Sequence, residues 1–399
     1  MFRISRFMRE LVRPAPLAPR GAAPSGPVVI WNLIRRCNLT CLHCYSISAD
    51  IDFPGELSTG EVFGVMDDLK GFGVPALILS GGEPLLRKDL FEIAARAKQL
   101  GFYTALSTNG TLIDLPLAER VASSGFDYVG ISLDGVGDTH DRFRRKQGAF
   151  DASLCGLRLC RDMGVKVGLR FTLTQANAAE LPALLDLAEA ERIDKFYLSH
   201  LNYAGRGDRN RKHDAQHRTA REAMDLVFER CWEYARLGLD KEFVTGNNDA
   251  DGVYLLLWAR RNVPGFDEAQ LRAKLAEWGG NSSGVNVANI DNLGNVHPDT
   301  MWWDCTLGNV RERRFSEIWT DASHLMMAGL KARPRRIKGR CGECSFFDVC
   351  CGNTRVRALK LTGDPWQEDP GCYLEDGEIG VAPGRARIPI TPFSARLSH

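Results

Sequence analysis

The stretch "VVIWNLIRRCNLTCLHCYS", residues 28–46, joins a short apolar run to three closely spaced cysteines. Cys37, Cys41 and Cys44 follow the pattern C-x3-C-x2-C. Four ligands are the usual set for a structural metal, so three thiols leave one position open. The β-branched run predicts a strand, and the cysteines are therefore expected on the loop that follows its carboxyl end.

The alternation that begins at Val28 continues through residue 200. Short β-branched or aromatic runs recur with amphipathic stretches such as "DLFEIAARAKQLG" between them; the runs are "VVIWNL", "PALILS", "FYTALS", "YVGISLD", "KVGLRFTL" and "KFYLSH". These repeats predict an α/β fold, a partial (βα)6 TIM-type barrel of parallel strands covered by helices. Chemistry in such barrels gathers on the loops after the strands, and the cysteine triad lies on the first of them.

Composition and turn signals divide the rest of the chain. Residues 1–27, rich in Pro, Arg and Ala and without a sustained period, predict a flexible arm ahead of a barrel at 28–240. A helical connector is expected at 241–283. Two short strands around a D-N-L-G-N turn open a small domain at 284–377, and a flexible tail is expected at 378–399.

Charge and hydropathy exclude several classes of partner. The 51 Lys and Arg nearly balance the 50 Asp and Glu, so no overall field draws the chain to nucleic acid or anionic lipid. No apolar run reaches the length of a membrane span, and the first residues lack a signal-type apolar region, so we expect a cytoplasmic protein. Twelve cysteines in a reducing compartment favour metal ligation over disulfides.

Three thiolates suit a [4Fe-4S] cube, because each iron needs a ligand and one iron is then left for a small molecule. An open zinc site is the alternative. With "SGGEP" after the second strand, the cysteine pattern resembles the radical S-adenosylmethionine (SAM) superfamily over roughly residues 28–375. The resemblance implies that Cys37, Cys41 and Cys44 hold a [4Fe-4S] cluster and that SAM chelates the open iron. It also implies reductive cleavage of SAM to a 5′-deoxyadenosyl radical.

The same resemblance implies that SAM lies against the loops after strands one to five. The glycines of "SGGEP" allow close backbone approach, and Glu83 can accept a hydrogen bond from the methionyl ammonium. Polar residues of "STNG" and "SLDG" suit the ribose and the methionyl carboxylate, with helix capping as the alternative. For Arg170, which could pair with the methionyl carboxylate, a structural ion pair is the alternative. For Tyr45, which could cover the adenine, core packing is the alternative. The expected cofactor-binding residues are Tyr45, Gly81, Gly82, Glu83, Ser107, Asn109, Ser132, Arg170 and Asn177.

A second cysteine set resembles the SPASM extension of radical enzymes. That resemblance implies one auxiliary [4Fe-4S] cluster with four protein ligands, Cys341, Cys344, Cys350 and Cys372. A zinc ribbon is the alternative. The extension often carries a second auxiliary cluster, but Asp299 and Thr354 stand at the places of its ligands, so we predict only one. Cys305 and Cys351 remain as spare thiols or alternative ligands.

The stretches "CNLTCLHCYSISAD" and "LSHLNYAGRG" look most similar to the superfamily branch that acts in haem d1 biosynthesis. This implies a tetrapyrrole substrate, didecarboxysirohaem, whose two propionates are removed on the way to ring oxo groups. It also implies a low-potential electron donor of flavodoxin or ferredoxin type and other enzymes of that pathway as partners. Substrate carboxylates favour basic ligands. The run after the sixth strand offers such ligands, or is merely a solvated loop: Arg206, Arg209, Lys212 and His213.

Three rival functions remain at this stage, and one of them is a zinc-bearing binding module, which metal analysis would identify. A SPASM peptide maturase would share the mechanism, but such enzymes often carry an N-terminal peptide-clasping domain, for which residues 1–27 leave little room. A non-catalytic iron-sulfur electron carrier or scaffold would not cleave SAM. Trp302 and Trp303 are candidates for the wall of a macrocycle pocket, with core packing as the alternative.

Overall fold

The computed structural model describes residues 1–14, 26–382, 384 and 387–389. One large sheet organises this part of the chain. Its strands are β1 (Phe2–Arg3), β2 (Val28–Ile34), β3 (Ala76–Gly81), β4 (Tyr103–Thr108), β5 (Tyr128–Ser132), β6 (Val167–Leu173), β7 (Lys195–His200), β8 (Glu242–Gly246), β9 (Val287–Ile290), β10 (Asn295–His297) and β11 (Gly308–Asn309).

Helices fill most of the intervals between the strands. They are α1 (Ile4–Val12), α2 (Thr59–Gly71), α3 (Leu90–Gln99), α4 (Leu115–Ser123), α5 (Asp138–Arg144), α6 (Ala149–Asp162), α7 (Leu181–Ala190), α8 (Gly205–Arg209), α9 (His217–Arg236), α10 (Ala250–Asn262), α11 (Glu268–Trp278), α12 (Phe315–Thr320), α13 (Leu325–Lys331), α14 (Arg340–Glu343), α15 (Phe347–Cys350) and α16 (Arg355–Thr362). None of the helices in the described residues is both long enough and apolar enough to span a bilayer.

The sheet confirms the α/β prediction. Its order is β1-β8-β7-β6-β5-β4-β3-β2-β9-β10-β11, and the six predicted runs form β2 to β7, each parallel to its neighbours. β8 and β9 extend the parallel array on either side, whereas β1, β10 and β11 pair antiparallel. Because all strands from β2 to β7 point the same way, the loops after them meet at one edge, where the cysteine triad lies.

Helix α2 shows how local sequence sets these boundaries. Ser58 accepts a hydrogen bond from the backbone of Glu61, whose side chain in turn accepts from the Ser58 backbone, so the helix begins with a capping box. Val62, Met66 and Leu69 recur at helical spacing and are fully buried against the sheet. The helix therefore needs both its cap and its apolar face, and both are legible in the sequence.

The prediction of a flexible arm at 1–27 is wrong for its first twelve residues, and 15–25 lie outside the described residues. β1 pairs with β8, and α1 buries Ile4, Phe7 and Met8 at helical spacing. Ser5 accepts a hydrogen bond of 3.1 Å from the Phe243 backbone. This apolar pattern is short, and the helix is stable because it packs against distant parts of the chain. The Pro-rich residues that follow it make the whole segment look unstructured in the sequence.

The connector at 241–283 is only partly helical, since β8 occupies its first residues as a seventh strand of the parallel array. The tail predicted from residue 378 also begins ordered. Ile379 and Val381 are buried, and the Ile379 carbonyl accepts a hydrogen bond of 2.9 Å from the Ser345 backbone. Most of the remaining tail lies outside the described residues.

The C-terminal segment continues the barrel sheet. β9 pairs parallel with β2, and the Asn289 amide donates to the Ile30 carbonyl at 2.7 Å and to the Asn32 side chain at 2.6 Å. The pairing sets the loop that carries Trp303 beside the loop that follows β2. The second cysteine set comes later in the same segment, on α14, on α15 and in the loops after α14 and α16.

Candidate active site

The cysteine triad lies in an irregular loop directly after β2. Cys37 and Cys41 are buried and Cys44 is half-buried. The backbone N–H of Leu39 donates to the Cys37 sulfur at 3.4 Å. Burial raises the pKa of Cys37, and the neighbouring Cys41 and Cys44 raise it further, so the three thiols lie within electrostatic reach of one another. A group that binds thiolates would therefore meet all three together.

Two arginines that the sequence did not single out as supports of the triad control its electrostatics. Burial would raise the pKa of Cys44, but the Arg206 guanidinium and hydrogen bonds from Ser46 and Ser48 outweigh it, and the pKa is lowered. Burial raises the pKa of Cys41 although the Arg144 guanidinium opposes the rise. The two arginines therefore favour negative charge on the Cys41 and Cys44 sulfurs, against the effect of burial.

"SGGEP" braces the cysteine loop. The Gly82 backbone donates to the Ile34 carbonyl at 2.6 Å, and the Glu83 backbone donates to the Arg36 carbonyl at 2.9 Å. A Cβ on Gly82 would lie under 3.0 Å from the carbonyl oxygens of Arg35 and Arg36. The expected close backbone approach is present, and in this structure its partner is the start of the cysteine loop. The role of Gly81 and Gly82 in binding SAM stays a prediction.

Glu83 connects the loop after β3 to the loop after β4. Its carboxylate accepts from the Thr108 hydroxyl at 2.7 Å, from the Asn109 backbone at 2.8 Å and from the Leu85 backbone at 3.1 Å. Burial raises its pKa to about 7 despite these hydrogen bonds. A carboxylate offers about four acceptor positions, so one is left for the predicted methionyl ammonium.

The loop after β4 also contacts the triad. The Asn109 amide donates to the Asn38 side chain at 2.9 Å and lies 3.9 Å from the Cys37 sulfur. Asn109 therefore supports the cysteine loop from the next strand along. Nearby, the Arg170 guanidinium donates to the Ser107 hydroxyl and lies over the Tyr197 ring, 5.2 Å from its centroid.

The approach of Asn177 to the ribose stays a prediction, and in the structure its side chain closes the turn after β6. Asn177 is buried, and its side-chain oxygen accepts from the Thr174 backbone and hydroxyl at 2.8 and 2.9 Å. Its amide donates to the carbonyls of Asp134 and Thr172 at 3.0 and 2.9 Å. Every hydrogen-bonding position of the side chain is used to close the turn after β6. Ser132, at the end of β5, lies beside Arg170 in register.

Arg144 is the functional residue that sequence reasoning missed. It lies at the end of α5, almost wholly buried, where it donates to the Cys41 sulfur at 3.5 Å and forms an ion pair with buried Asp134. Asp134 in turn accepts from the Thr172 backbone at 2.7 Å. A hydrogen bond to Asp134 and the ion pair between Asp134 and Arg144 therefore connect β6 to the triad. "HDRFR" gives no signal of this, because adjacent arginines on an exposed helix usually face solvent.

Arg206 also serves the cysteine loop, a contact that the sequence did not predict, and its assignment to substrate carboxylates stays a prediction. Its guanidinium donates to the Cys41 carbonyl at 2.7 Å and to the Ser48 carbonyl at 2.9 Å, and its backbone donates to the Cys44 carbonyl at 2.8 Å. Gly205 before it has a left-handed φ of 56° and no space for a Cβ against the Tyr45 and Cys44 carbonyls. The start of α8 is shaped to clamp this loop.

The other predicted substrate residues are not gathered with the site. Arg209, Lys212 and His213 lie exposed on α8 and on the short 3₁₀ turn after it. Their assignment to substrate carboxylates stays a prediction. These three residues lie on the outer side of the segment, and Arg206 lies on its inner side.

Tyr45 and Trp303 form an aromatic wall beside the triad. The Tyr45 hydroxyl accepts from the Asn32 amide at 3.0 Å, and its ring centroid lies 6.3 Å from that of Trp303. Trp303 also lies 5.8 Å from the His297 ring and carries the Arg35 guanidinium over its face. Trp302 next to it is buried. Trp303 therefore joins the C-terminal segment to the cysteine loop, as a flat wall of the site would.

The four cysteines of the second set act on one another electrostatically, and their role as cluster ligands stays a prediction. Burial raises the pKa of Cys350 well above its usual value, and the thiols of the other three predicted ligands raise it further. Burial also raises the pKa of Cys351, whereas the nearby Arg333 and Arg335 lower it. Cys305 is half-buried, and burial and Asp299 raise its pKa.

Asp299 and Thr354 stand at the positions where a second auxiliary cluster would have its ligands, and both side chains are hydrogen-bonded. Asp299 accepts from the Ser283 hydroxyl and from the Met301 backbone, the latter at 2.7 Å. The Thr354 hydroxyl donates to the Asn247 carbonyl at 3.0 Å. The prediction of one auxiliary cluster rather than two agrees with these partners and stays a prediction.

Replacing Cys350 with serine is expected to remove the iron of the auxiliary site, because one of four converging ligands is lost. The matched change Cys351→Ser should leave that iron in place, since Cys351 is not one of the four predicted ligands. Iron content and visible absorbance after anaerobic reconstitution measure both. Equal losses in the two variants would contradict the ligand assignment.

The residues around the triad fit a [4Fe-4S] cluster that binds SAM. Three thiols converge on one loop, and nearby nitrogens are buried without a partner, Arg206 Nη2, Arg144 Nε and His43 Nδ1. Donors of this kind suit the sulfur of a cluster or a carboxylate bound to it. Within the described residues no three His, Cys, Asp or Glu side chains are arranged to hold a single metal ion. A cube takes one thiolate at each corner, so its ligands need not converge on one point.

Comparisons with known proteins agree with this geometry. A family model described as the Radical SAM superfamily matches residues 31–188. The chain is 55% identical to pre-heme d1 synthase from Dinoroseobacter shibae, over 98% of this chain and 97% of that protein. It is 47% identical to Fe-coproporphyrin III synthase from Methanosarcina barkeri, over 89% of each. Streptococcus suis SuiB bound to S-adenosylmethionine has a similar fold, with a TM-score of 0.68 and 18% identity, over 88% of this chain and 78% of SuiB.

Proposed function

Because the chain belongs to the radical SAM superfamily, we propose that it catalyses a radical step of haem d1 biosynthesis, the removal of two propionate side chains from didecarboxysirohaem. The observation that carries the proposal is the 55% identity to a pre-heme d1 synthase across nearly the whole of both chains. The second relative named above is also a tetrapyrrole enzyme by name. A flat macrocycle suits the aromatic wall of Tyr45 and Trp303 beside the triad.

When bound, the cluster and SAM supply a 5′-deoxyadenosyl radical that takes hydrogen from a propionate carbon. The chain itself supplies the ligands Cys37, Cys41 and Cys44 and the backbone scaffold that sets their spacing. Arg144 and Arg206 balance the negative charge of the thiolates from within the protein. Burial of the loop excludes water, which would otherwise compete for a reactive intermediate.

The same proposal gives the second cysteine set an auxiliary [4Fe-4S] cluster. Cys341, Cys344, Cys350 and Cys372 would supply all of its ligands, so no iron there is left for a small molecule. The buried Arg340 lies next to this group and is itself fixed by an ion pair of 2.7 Å with Asp376. A cluster held in this way would be suited to store or pass on an electron at the substrate.

Anaerobically reconstituted protein, mixed with SAM, a chemical reductant and didecarboxysirohaem, tests the function by mass spectrometry. We expect deoxyadenosine together with a tetrapyrrole that has lost the mass of its propionate groups. Deoxyadenosine without a change in tetrapyrrole mass would support radical SAM chemistry and contradict the substrate. Neither product, with both clusters loaded, would contradict the proposed function as a whole.

A further inference from the structure

The cysteine triad lies directly beneath two short surface helices. The Leu42 backbone, between Cys41 and Cys44, donates to the Phe143 carbonyl of α5 at 3.0 Å. The Leu42 carbonyl accepts from the Asn210 amide, just after α8, at 2.9 Å. The His43 ring stacks on Phe143 with centroids 4.8 Å apart. The two helices therefore flank the same loop from either side.

These two helices and the residues after them carry a group of exposed cations. We call this group the loop-flanking surface; it consists of Arg142, Arg145, Lys146, Arg209 and Lys212. Asp138 and Asp151 are the exposed acids in residues 136–151, and the nearby Asp208 is half-buried and paired with Arg211. The surface therefore has a clear surplus of positive charge, although the whole chain is close to neutral.

The cations of the loop-flanking surface form no ion pair with any described residue, whereas many other exposed arginines do. Arg36 pairs with Asp50 at 2.8 Å, and Arg158 pairs with Glu191. The Arg142 guanidinium has only a hydroxyl partner, Thr139, at 3.1 Å. Unpaired cations keep their field directed at solvent, where it acts on a charged partner within about 10 Å at ordinary ionic strength.

The surface is also close to the site of electron uptake. α5 places Arg144 inward, 3.5 Å from the Cys41 sulfur, and Arg142 and Arg145 outward. The distance from its exposed side to the triad is therefore on the order of one helix diameter, about 10 Å. A redox centre docked there would need to cross only this helix and the loop that it contacts.

We propose that the loop-flanking surface docks an acidic one-electron carrier protein, with a reduced flavin or iron-sulfur centre, that reduces the cluster at Cys37, Cys41 and Cys44. The carrier loses one electron and the cluster gains it, with no bond broken and no proton moved. This inference rests on the proposed function. It assigns Arg209 and Lys212 to the donor rather than to substrate carboxylates, because they face solvent beside the cysteine loop.

The test follows the rate at which flavodoxin hydroquinone, an acidic carrier, reduces the reconstituted protein in a stopped-flow experiment. The variant Arg145→Glu/Lys146→Glu reverses two charges that touch no ligand of the cluster. We expect its second-order rate constant to fall by about tenfold or more at low ionic strength, and the difference to shrink in about 0.5 M salt. The neutral pair Arg145→Asn/Lys146→Gln should give a smaller loss of the same kind.

A matched control uses the opposite face. Arg192 and Arg236 are exposed and precede β7 and β8, at the amino ends of the strands. Arg192 has a left-handed φ of 55°, as Arg145 has one of 58°, so Arg192→Glu/Arg236→Glu repeats both the charge change and the backbone setting. We expect this control to reduce the rate little. An equal loss in both pairs, or in neither, would overturn the proposal.

Photoreduction with deazaflavin, a small neutral reagent, distinguishes a failure of the docking role from a failure of the proposed function. The Arg145 and Lys146 variants should be reduced by deazaflavin at the wild-type rate and should then form deoxyadenosine normally. Slow photoreduction in those variants would overturn the docking role, because the defect would lie in the cluster. A raised KM for the tetrapyrrole with an unchanged flavodoxin rate would overturn it in favour of substrate binding. Wild-type protein that forms no deoxyadenosine after photoreduction would instead contradict the proposed function.

Discussion

Replacing Gly82 with alanine is expected to release the iron held at Cys37, Cys41 and Cys44 and to abolish SAM cleavage. A Cβ at this position would overlap the carbonyl oxygens of Arg35 and Arg36, which are backbone atoms and have nowhere to move. The two hydrogen bonds that fix the start of the cysteine loop, from the backbones of Gly82 and Glu83, would then be lost or lengthened. We expect loss of roughly half of the bound iron and a fall of at least about a hundredfold in deoxyadenosine formation.

Gly64→Ala is the control for that change. Gly64 lies within α2, a Cβ added to it would meet no atom within 4 Å, and its backbone does not need a left-handed φ. Alanine there should leave iron content and SAM cleavage unchanged and raise stability by up to about 1 kcal/mol. Full iron content in Gly82→Ala would contradict the view that "SGGEP" braces the cysteine loop.

Replacing Arg144 with methionine is expected to have the second largest effect. The change removes the cation next to the Cys41 sulfur and leaves Asp134 buried without its ion-pair partner. Breaking one side of a buried ion pair typically costs about 3–5 kcal/mol. Loss of a positive charge beside the cluster should also lower its reduction potential, because the reduced cluster carries one more negative charge. Urea unfolding and a redox titration followed by electron paramagnetic resonance (EPR) measure the two effects.

Two further variants separate the roles of Arg144. Arg144→Lys keeps the charge but loses the forked geometry, so it should recover part of the potential and less of the stability. Arg144→Met/Asp134→Asn removes both charges, and it should recover most of the stability. It should also recover part of the potential, because the negative charge of Asp134, which also acts on Cys41, is lost. A wild-type reduction potential in Arg144→Met would contradict the electrostatic role assigned to this residue.

The strands and the two cysteine groups were predictable because their signals are local. Each of the runs from β2 to β7 is a short segment rich in β-branched, aromatic or other apolar residues, and the spacing of Cys341, Cys344 and Cys350 is legible without a structure. β1 and β8 were missed because β1 is two residues long and both depend on pairing with a distant segment. The local periodicity of a sequence does not indicate the distant strand with which a short segment pairs.

The site was predictable in its ligands and not in its supports. The hydrogen bonds of Asn177 within the turn after β6 were not predicted, because a short polar residue after a strand closes a turn as readily as it binds a ligand. Arg144 and Arg206 read as members of solvated charge runs, and only the fold turns one side of each run inward. Such supports are set by contacts between segments that lie more than a hundred residues apart, as from Cys41 to Arg144.

The most direct test concerns the open iron at the triad. The protein is reduced anaerobically with and without SAM that carries ¹⁵N at its methionyl amine, in the Cys350→Ser background to remove the auxiliary signal, and is measured by EPR and electron-nuclear double resonance. The account predicts a shifted EPR signal on addition of SAM and a ¹⁵N coupling to the cluster. An unshifted signal with no such coupling, in protein shown to carry the cluster of Cys37, Cys41 and Cys44, would contradict it.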